Sequence, residues 1–215
     1  MENAEIINLW KSYNVKLEEN LLLNKRNAED ITKLKVQSFL SSMKPLKIFI
    51  ILMGIGWVVF LDVLIVHLYA VVNPFFLVSA IVIALLNKLA IAIYIYQIIV
   101  IHQVDISEPI LKTQEKLARL KSSTLWVTRL LFLQLPFWTT FHLNKTMLEN
   151  GNTWFFMIQL LITVMLIYLA IWLFFNIKYE NKDKKWFRYL FNSQEWTPII
   201  KSIELCREIE AFKQE

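Results

Sequence analysis

The chain has 215 residues, a formal net charge of +5 and a hydrophobic fraction of 56%. Its mean hydropathy of +0.45 excludes an ordinary soluble domain and is typical of a polytopic membrane protein. The single cysteine, Cys206, excludes a disulfide framework or a thiolate zinc cluster within one chain. We expect an all-α membrane protein with four transmembrane helices and with amphipathic cytoplasmic helices at the N-terminus, in the central loop and at the C-terminus.

Residues 1–45 form a polar segment with the pattern of one long amphipathic cytoplasmic helix. From 4 to 44 apolar residues recur every three or four positions, and the stripe includes Ile6, Trp10, Tyr13 and Leu17 and later Ala28, Ile31 and Leu34. Asparagines at 20, 24 and 27 interrupt it, as polar residues do where they set the register of a coiled coil. Two interpretations stay open. The helix lies against loops or lipid headgroups, or it binds a partner through Trp10, Tyr13 and Leu17.

Two apolar arms, 46–72 and 74–101, follow, and Lys44, Pro45 and Lys47 mark where the first enters the membrane. Each arm is long enough to cross a hydrocarbon core as a helix. Asp62 and Lys88 lie 12 and 14 residues from Pro74, which is about 20 Å from the turn at the helical rise per residue.

Opposite charges at one depth of a bilayer should pair, since a lone charge there costs from about 3 to more than 10 kcal/mol. We therefore predict a buried ion pair between Asp62 and Lys88, with Asn87 as a further hydrogen-bonding group. The pair fixes the register of the two helices, conducts a proton or ion, or contacts a partner's membrane helix.

The second half of the sequence predicts two further spans. A central cytoplasmic helix at 107–121 precedes a short, polar third span at 125–143, in which we expect Arg129 to reach toward the interface and Pro136 to kink the helix. The fourth span, 154–177, is almost purely apolar and has aromatic residues at both ends, as at membrane interfaces. The transmembrane domain therefore covers residues 46–177.

The tail at 178–215 begins with a basic and aromatic cluster. Its composition suits anionic lipid headgroups, and the residues concerned are Lys184, Lys185, Trp186 and Arg188. A last helix opens at Thr197 and Pro198 and carries an apolar stripe at Ile199, Ile203, Cys206, Ile209 and Phe212.

Catalytic and metal-binding patterns do not occur in the sequence. It has no Gly-rich phosphate loop, no serine elbow and no HExxH, and its three histidines lie in separate segments. His102, Asp105 and Glu108 are three apart, but a helix cap explains the two acids. We expect no enzyme activity, no cofactor and no metal.

The distribution of Lys and Arg predicts the orientation. The first outer turn contains neither and the second contains Lys145 alone, so both termini and the central loop should face the cytoplasm. We expect the first apolar arm to act as an uncleaved insertion signal. Because this bias explains the positive net charge, we expect membrane lipid as a partner and no nucleic acid.

Three stretches carry further motifs: 9–24 with LW, KL and NLLLN, 105–117 with DISEP and QEKL, and 129–138 with RL and LQLPFW. Together they resemble a family of uncharacterised small four-span bacterial inner-membrane proteins, often encoded beside extracytoplasmic-function sigma factors. The resemblance implies a bacterial inner membrane and an anti-sigma-like role. The usual zinc-type anti-sigma domain has a histidine and paired cysteines in its N-terminal helices, and this segment has neither. A zinc-free module at 4–44 would therefore bind the partner.

Two functions compete on this evidence. The first is a non-enzymatic membrane regulator or scaffold whose cytoplasmic helices bind a soluble protein or a second copy of the chain. The alternative is an oligomeric small transporter or channel that uses Asp62 and Lys88, with the kinked third span as one wall.

Overall fold

The computed structural model describes residues 2–104, 108, 110–141, 143, 153–191 and 196–214, without the side chains at 2–4, 110 and 209–214. These residues form helices and no strand, which confirms the predicted all-α class. The helices are α1 (Glu2–Ser42), α2 (Lys44–Leu68), α3 (Pro74–His102), α4 (Ile110–Leu133), α5 (Leu135–Thr140), α6 (Thr153–Asn176), α7 (Lys185–Phe191) and α8 (Thr197–Gln214), with a 3₁₀ turn at Tyr179–Asn181.

α1 and α2 form one nearly continuous rod. Met43, the residue between them, keeps right-handed helical angles (φ −80°, ψ −21°), and its carbonyl accepts from the Lys47 N–H at 3.1 Å. Pro45 is tolerated because it lies in the first turn of α2, where an N–H would have no partner within that helix. The rod brings the polar N-terminal segment directly into the apolar arm.

Among the described residues, three helical units are long and apolar enough to cross a membrane: the rod from Glu5 to Leu68, through its apolar part, then α3 and α6. The chain is therefore a membrane protein. The predicted third span is not one of the three, because its helix is interrupted after Leu133 and it carries several polar residues.

The central loop helix and the third span are not separate elements, contrary to the prediction. α4 runs through the expected break between 121 and 125, where Ser123 and Thr124 donate their hydroxyls to the Leu120 carbonyl at 2.9 Å. Such back-bonding lets hydroxyl residues stay within a helix. The interruption falls instead at Gln134, and α5 restarts with Pro136 in its first turn, so the helix breaks where a kink was predicted.

α3 lies in the middle of the bundle. α2 packs on one side of it, α4 and α5 pack on another, and α6 lies against α4 and α5. At one end of the bundle α1, α3, α4 and α8 enclose a core, here called the basal core, of Val36, Leu40, Met43, Val100, Ile101, Val104, Leu117, Leu120, Ile199 and Cys206. α1 and α8, the first and last described helices, therefore meet at the basal end of the bundle.

α1 contributes to the basal core with a face different from its predicted stripe. Val36, Leu40 and Met43 are buried there, whereas Ile31 and Leu34 are 52% and 54% exposed. α8 begins at Thr197 as predicted and buries Ile199 and Cys206 from its stripe. The side chains of Ile209 and Phe212 lie outside the described residues.

Candidate functional site

The Asp62–Lys88 ion pair is present. Lys88 Nζ lies 3.0 Å from both carboxylate oxygens of Asp62. Lys88 is the middle residue of the 29-residue α3, about 21 Å of helix from either end. The two charges therefore meet at one depth, near the centre of the apolar hairpin.

The predicted burial of this pair is wrong. The side chains of Lys88 and Asp62 are 49% and 43% exposed. Ile83, Ala90 and Tyr94 are buried where α3 packs against α2, α4 and α5, whereas the ion pair lies at the edge of the α2–α3 contact, on a side that no described helix covers. Counting residues predicted the depth of the charges but could not predict which face the later helices would cover.

Asn87 belongs to a different contact. Its side-chain amide donates to Gln134 Oε1 at 3.1 Å and to the Ile83 carbonyl at 2.8 Å. Adjacent residues of a helix point about 100° apart, so Asn87 faces the inside of the bundle while Lys88 faces outward. The prediction that Asn87 assists the ion pair is therefore replaced by a hydrogen bond between α3 and the α4–α5 break.

A second lysine lies fully inside the bundle. Lys47 is 0% exposed, its ammonium donates to Gln97 Oε1 at 2.5 Å, and it lies 5.0 Å from the Tyr94 ring centroid. Gln97 in turn donates to Thr124 Oγ1 at 3.4 Å, so the contact joins α2, α3 and α4. The sequence predicts Lys47 only as a residue of the membrane boundary and does not predict this cluster. Helical spacing could have indicated that Lys47 is buried. It lies four residues before Ile51 and eleven before Val58, and these three residues share the buried face of α2.

The polar contacts of α3 with α4 and α5 occur in a regular register. Asn87 of α3 bonds to Gln134, and Gln97 of α3 bonds to Thr124 of α4. The two residues of α3 are ten positions apart, and so are their two partners, in the opposite direction along the chain. Toward the far end Ser79 Oγ lies 2.9 Å from Thr140 Oγ1, and Asn73 at the start of α3 donates to the Leu143 carbonyl. α4 and α5 therefore run antiparallel to α3 along nearly its whole length.

Arg129 holds the end of α6. Its guanidinium donates through Nε and Nη2 to the Ile177 carbonyl at 2.9 and 2.6 Å. A cation at the C-terminus of a helix satisfies a carbonyl that has no partner in the helix and complements the helix dipole. Arg129 therefore packs against the end of α6, and this contact explains why an arginine stands at this position of α4.

The predicted partner-binding residues lie on an exposed part of α1. Trp10, Tyr13 and Leu17 are 67%, 66% and 67% exposed. Every residue from 5 to 24 is exposed, so this half of the helix extends away from the bundle. Its apolar side chains are available to another molecule.

The predicted headgroup cluster is divided by the structure. Lys184, Lys185 and Arg188 are exposed around the start of α7, whereas Trp186 packs at 5.1 Å from the Trp172 ring of α6. Nearby, the ammonium groups of Lys121 and Lys182 lie 3.9 Å and 5.1 Å from the centroid of the Tyr179 ring. The basic residues therefore surround the basal end of α6.

Comparisons with family models, with curated proteins and with solved structures gave no significant match to this chain. The resemblance to the four-span bacterial family stays a prediction.

Within the described residues no three His, Cys, Asp or Glu side chains cluster as metal ligands would. Asp105, which the sequence places three residues from both His102 and Glu108, lies outside those residues.

Proposed function

We propose that this chain is a non-enzymatic membrane regulator or scaffold of the bacterial inner membrane, whose cytoplasmic helix α1 binds a soluble protein. The observation that carries the proposal is the exposed apolar stripe at Trp10, Tyr13 and Leu17 on a helix that extends from a membrane-anchored bundle. An anti-sigma-like role is the specific form that the family resemblance favours.

The proposal includes four membrane crossings. The register between α3 and α4–α5 supports a crossing by the short, interrupted helix, because its contacts run from Thr124, opposite Gln97, to Leu143, opposite Asn73. A segment that matches the length of a spanning helix crosses the same thickness. Its polar side chains are tolerated because they bond to α3 and α6 rather than face lipid.

Four crossings put both termini on one side, and the charges favour the cytoplasm for that side. The basal end carries Lys121, Lys182, Lys184, Lys185 and Arg188, and positive residues mark the cytoplasmic side of membrane proteins. α1, α7 and α8 would then be cytoplasmic helices, and Lys184, Lys185 and Arg188 would meet anionic headgroups. A reporter fused after Glu215 tests this: activity restricted to the outer side would overturn the topology.

The exposed stripe is suited to a helix-in-groove or helix-on-helix contact. Large aromatic residues dominate the energetics of such contacts, and Trp10 and Tyr13 lie one turn apart on the same face. Burying these exposed apolar side chains against another surface would lower the free energy, because it removes them from water.

The test is recovery of the soluble partner with the full-length protein from mildly solubilised membranes. Combined Trp10→Ala and Tyr13→Ala should lower recovery of the partner at least about tenfold, since aromatic anchors are worth about 1.4 kcal/mol or more. The matched control is Val15→Ala with Leu22→Ala, whose residues are similarly apolar, 54% and 52% exposed, and on the opposite face of α1. Equal recovery with both double variants would refute the proposed binding face.

A transporter or channel is the second candidate, and the half-exposed Asp62–Lys88 pair is the observation that favours it. Pathways for ions are lined by intramembrane charges, and several copies would be needed to enclose one around this pair. Flux into proteoliposomes should then fall strongly in the Asp62→Asn variant. Flux that Asp62→Asn leaves unchanged would remove this candidate.

A further inference from the structure

One heptad register runs through the whole α1–α2 rod. Counting in sevens from Ile6 and from Trp10 gives positions 6, 13, 20, 27, 34, 41, 48, 55, 62 and 69, and 10, 17, 24, 31, 38, 45, 52, 59 and 66. Successive positions alternate in steps of four and three, which is the spacing of the a and d residues of a coiled coil. The seam, as we call these positions, is mainly apolar except for Asn20, Asn24, Asn27, two serines, Pro45 and Asp62.

The seam faces away from the rest of the chain. All of its positions except Asp62 are exposed, including Val59 at 55% and Val66 at 67%, and the Asp62 side chain is half-exposed. This is informative from residue 28 onward, where the same rod buries its other face against the bundle, at Val36, Leu40 and Ile51. The exposed side therefore has a regular pattern of its own.

We propose that a second copy of this chain covers the seam, in a parallel, two-fold symmetric dimer. The seam passes from a polar helix into the membrane without a change of register. A molecule that covers the whole seam must also run from a polar helix into the membrane in the same direction. A second copy of this chain, inserted with the same topology, does so. A two-fold axis along the membrane normal then brings identical residues together at each level.

The polar residues of the seam fit this occupant. An asparagine side chain both donates and accepts, so Asn20, Asn24 and Asn27 can pair with their own copies in an in-register dimer and disfavour other registers. Because the ion pair joins Asp62 and Lys88 at one depth, the two-fold operation puts an identical pair at that depth. Four charges of alternating sign would then replace an ion pair that faces lipid.

Supercoiling makes the contact continuous. On a straight helix a seam of this spacing drifts by about 20° per heptad, which a left-handed supercoil of two rods compensates. Consistent with the drift, the seam lies opposite the buried face near Leu34 and reaches the edge of that face at Asp62, which is why Asp62 is half-exposed. Trp10, Tyr13 and Leu17 are themselves seam positions, so the dimer would bury side chains that the proposed function assigns to a soluble protein, and the second copy and that protein would compete for this part of α1.

Cysteine crosslinking of the full-length protein in isolated membranes tests the dimer. Leu17→Cys and Val59→Cys put one thiol on the seam in α1 and one in α2, while Leu22→Cys and Phe60→Cys are off-seam controls, both 52% exposed. Cys206 is buried, so the unsubstituted chain gives the background. On oxidation the seam variants should form disulfide-linked dimer at least about tenfold faster than the controls, because a disulfide needs α-carbons within about 7 Å.

The outcomes separate this inference from the proposed function. Equal crosslinking of seam and control variants, or no dimer from Val59→Cys, would overturn the dimer, and binding of a soluble partner that depends on Trp10 and Tyr13 could still stand. Seam-specific crosslinks at both positions without any such partner would support the dimer and refute the recruiting role.

Discussion

Two lysines lie within the apolar hairpin, and the structure treats them differently. Lys47 is fully buried and donates to the neutral amide of Gln97 beside the Tyr94 ring, whereas Lys88 is half-exposed and pairs with the Asp62 carboxylate. Lys47 lies three residues into α2, and Lys88 lies at the midpoint of α3. Lys47, near the end of α2, is enclosed by other helices, whereas the charge of Lys88, at the middle of α3, is neutralised by an acid.

This difference indicates that the two lysines have different structural roles. Lys47 joins α2 to α3 and, through Gln97 and Thr124, to α4, so it contributes to the fold of one chain. The Asp62–Lys88 pair joins two helices already held by apolar packing and presents charge on an outer face. We therefore expect substitutions of Lys47 to affect unfolding most, and substitutions of the ion pair to affect both stability and association.

Lys47→Ala should have the largest effect on stability. It removes a buried side chain and the donor to Gln97, and together a cavity and a lost hydrogen bond cost about 3 kcal/mol or more. The midpoint of thermal unfolding in detergent should fall well below that of the exposed control Lys35→Ala. Lys47→Met restores most of the volume and should recover part of the loss, and equal midpoints for Lys47→Ala and Lys35→Ala would contradict the role of Lys47.

Asp62→Lys or Lys88→Asp alone should come next. Each leaves two like charges close together at mid-depth, and a single charge at a helix centre costs about 2.5–3.5 kcal/mol on insertion scales. Part of this cost is relieved because the side chains are half-exposed. The exchanged double variant should restore most of the membrane yield and the unfolding midpoint. If the double variant were as impaired as either single variant, the Asp62–Lys88 contact would not be what stabilises the protein.

Gln134→Leu should have a smaller effect, because the contact that it removes is neutral and Asn87 keeps its bond to the Ile83 carbonyl. Polar contacts between membrane helices are worth about 0.6 kcal/mol on average. Unfolding midpoints should show a loss of that order. Asn87→Leu with Gln134→Leu should lie near the parent protein, and a severe defect in that double variant would point to a role beyond packing.

Asn24→Leu should change unfolding least, since the residue is exposed and surface changes usually alter stability by less than about 0.5 kcal/mol. Its effect should appear in association, because a polar layer in a coiled coil fixes the number and register of strands. Size measurement in detergent should show a broader mixture of oligomers. An unchanged size distribution would place Asn24 outside the interface.

Much of the fold could be predicted from local patterns. The apolar lengths located α2, α3 and α6, and Pro136 located the interruption before α5. The equal distances of Asp62 and Lys88 from Pro74 predicted their contact, because a hairpin of two regular helices turns sequence distance into depth. α4 was predicted less well, since hydroxyl residues at 122–124 are compatible with either a loop or a helix.

The candidate site was harder to predict, as Lys47 and Asn87 show. Both lie beside apolar residues in the sequence, and a lysine near a membrane boundary ordinarily extends to water. Lys47 is enclosed only because Gln97 and Thr124, 50 and 77 positions away, meet there. No local pattern specifies a contact between three helices.

The sequence by itself determined which segments are apolar rods, the depth of the charges within them and the heptad spacing along α1 and α2. These properties depend on regular helical geometry within one element. Only the tertiary structure decided that Lys47 is enclosed, that Asn87 faces Gln134 and that the Asp62–Lys88 pair lies on an open face. The physical reason is that burial depends on which neighbour covers a helix, and the periodicity of a single helix does not contain that information.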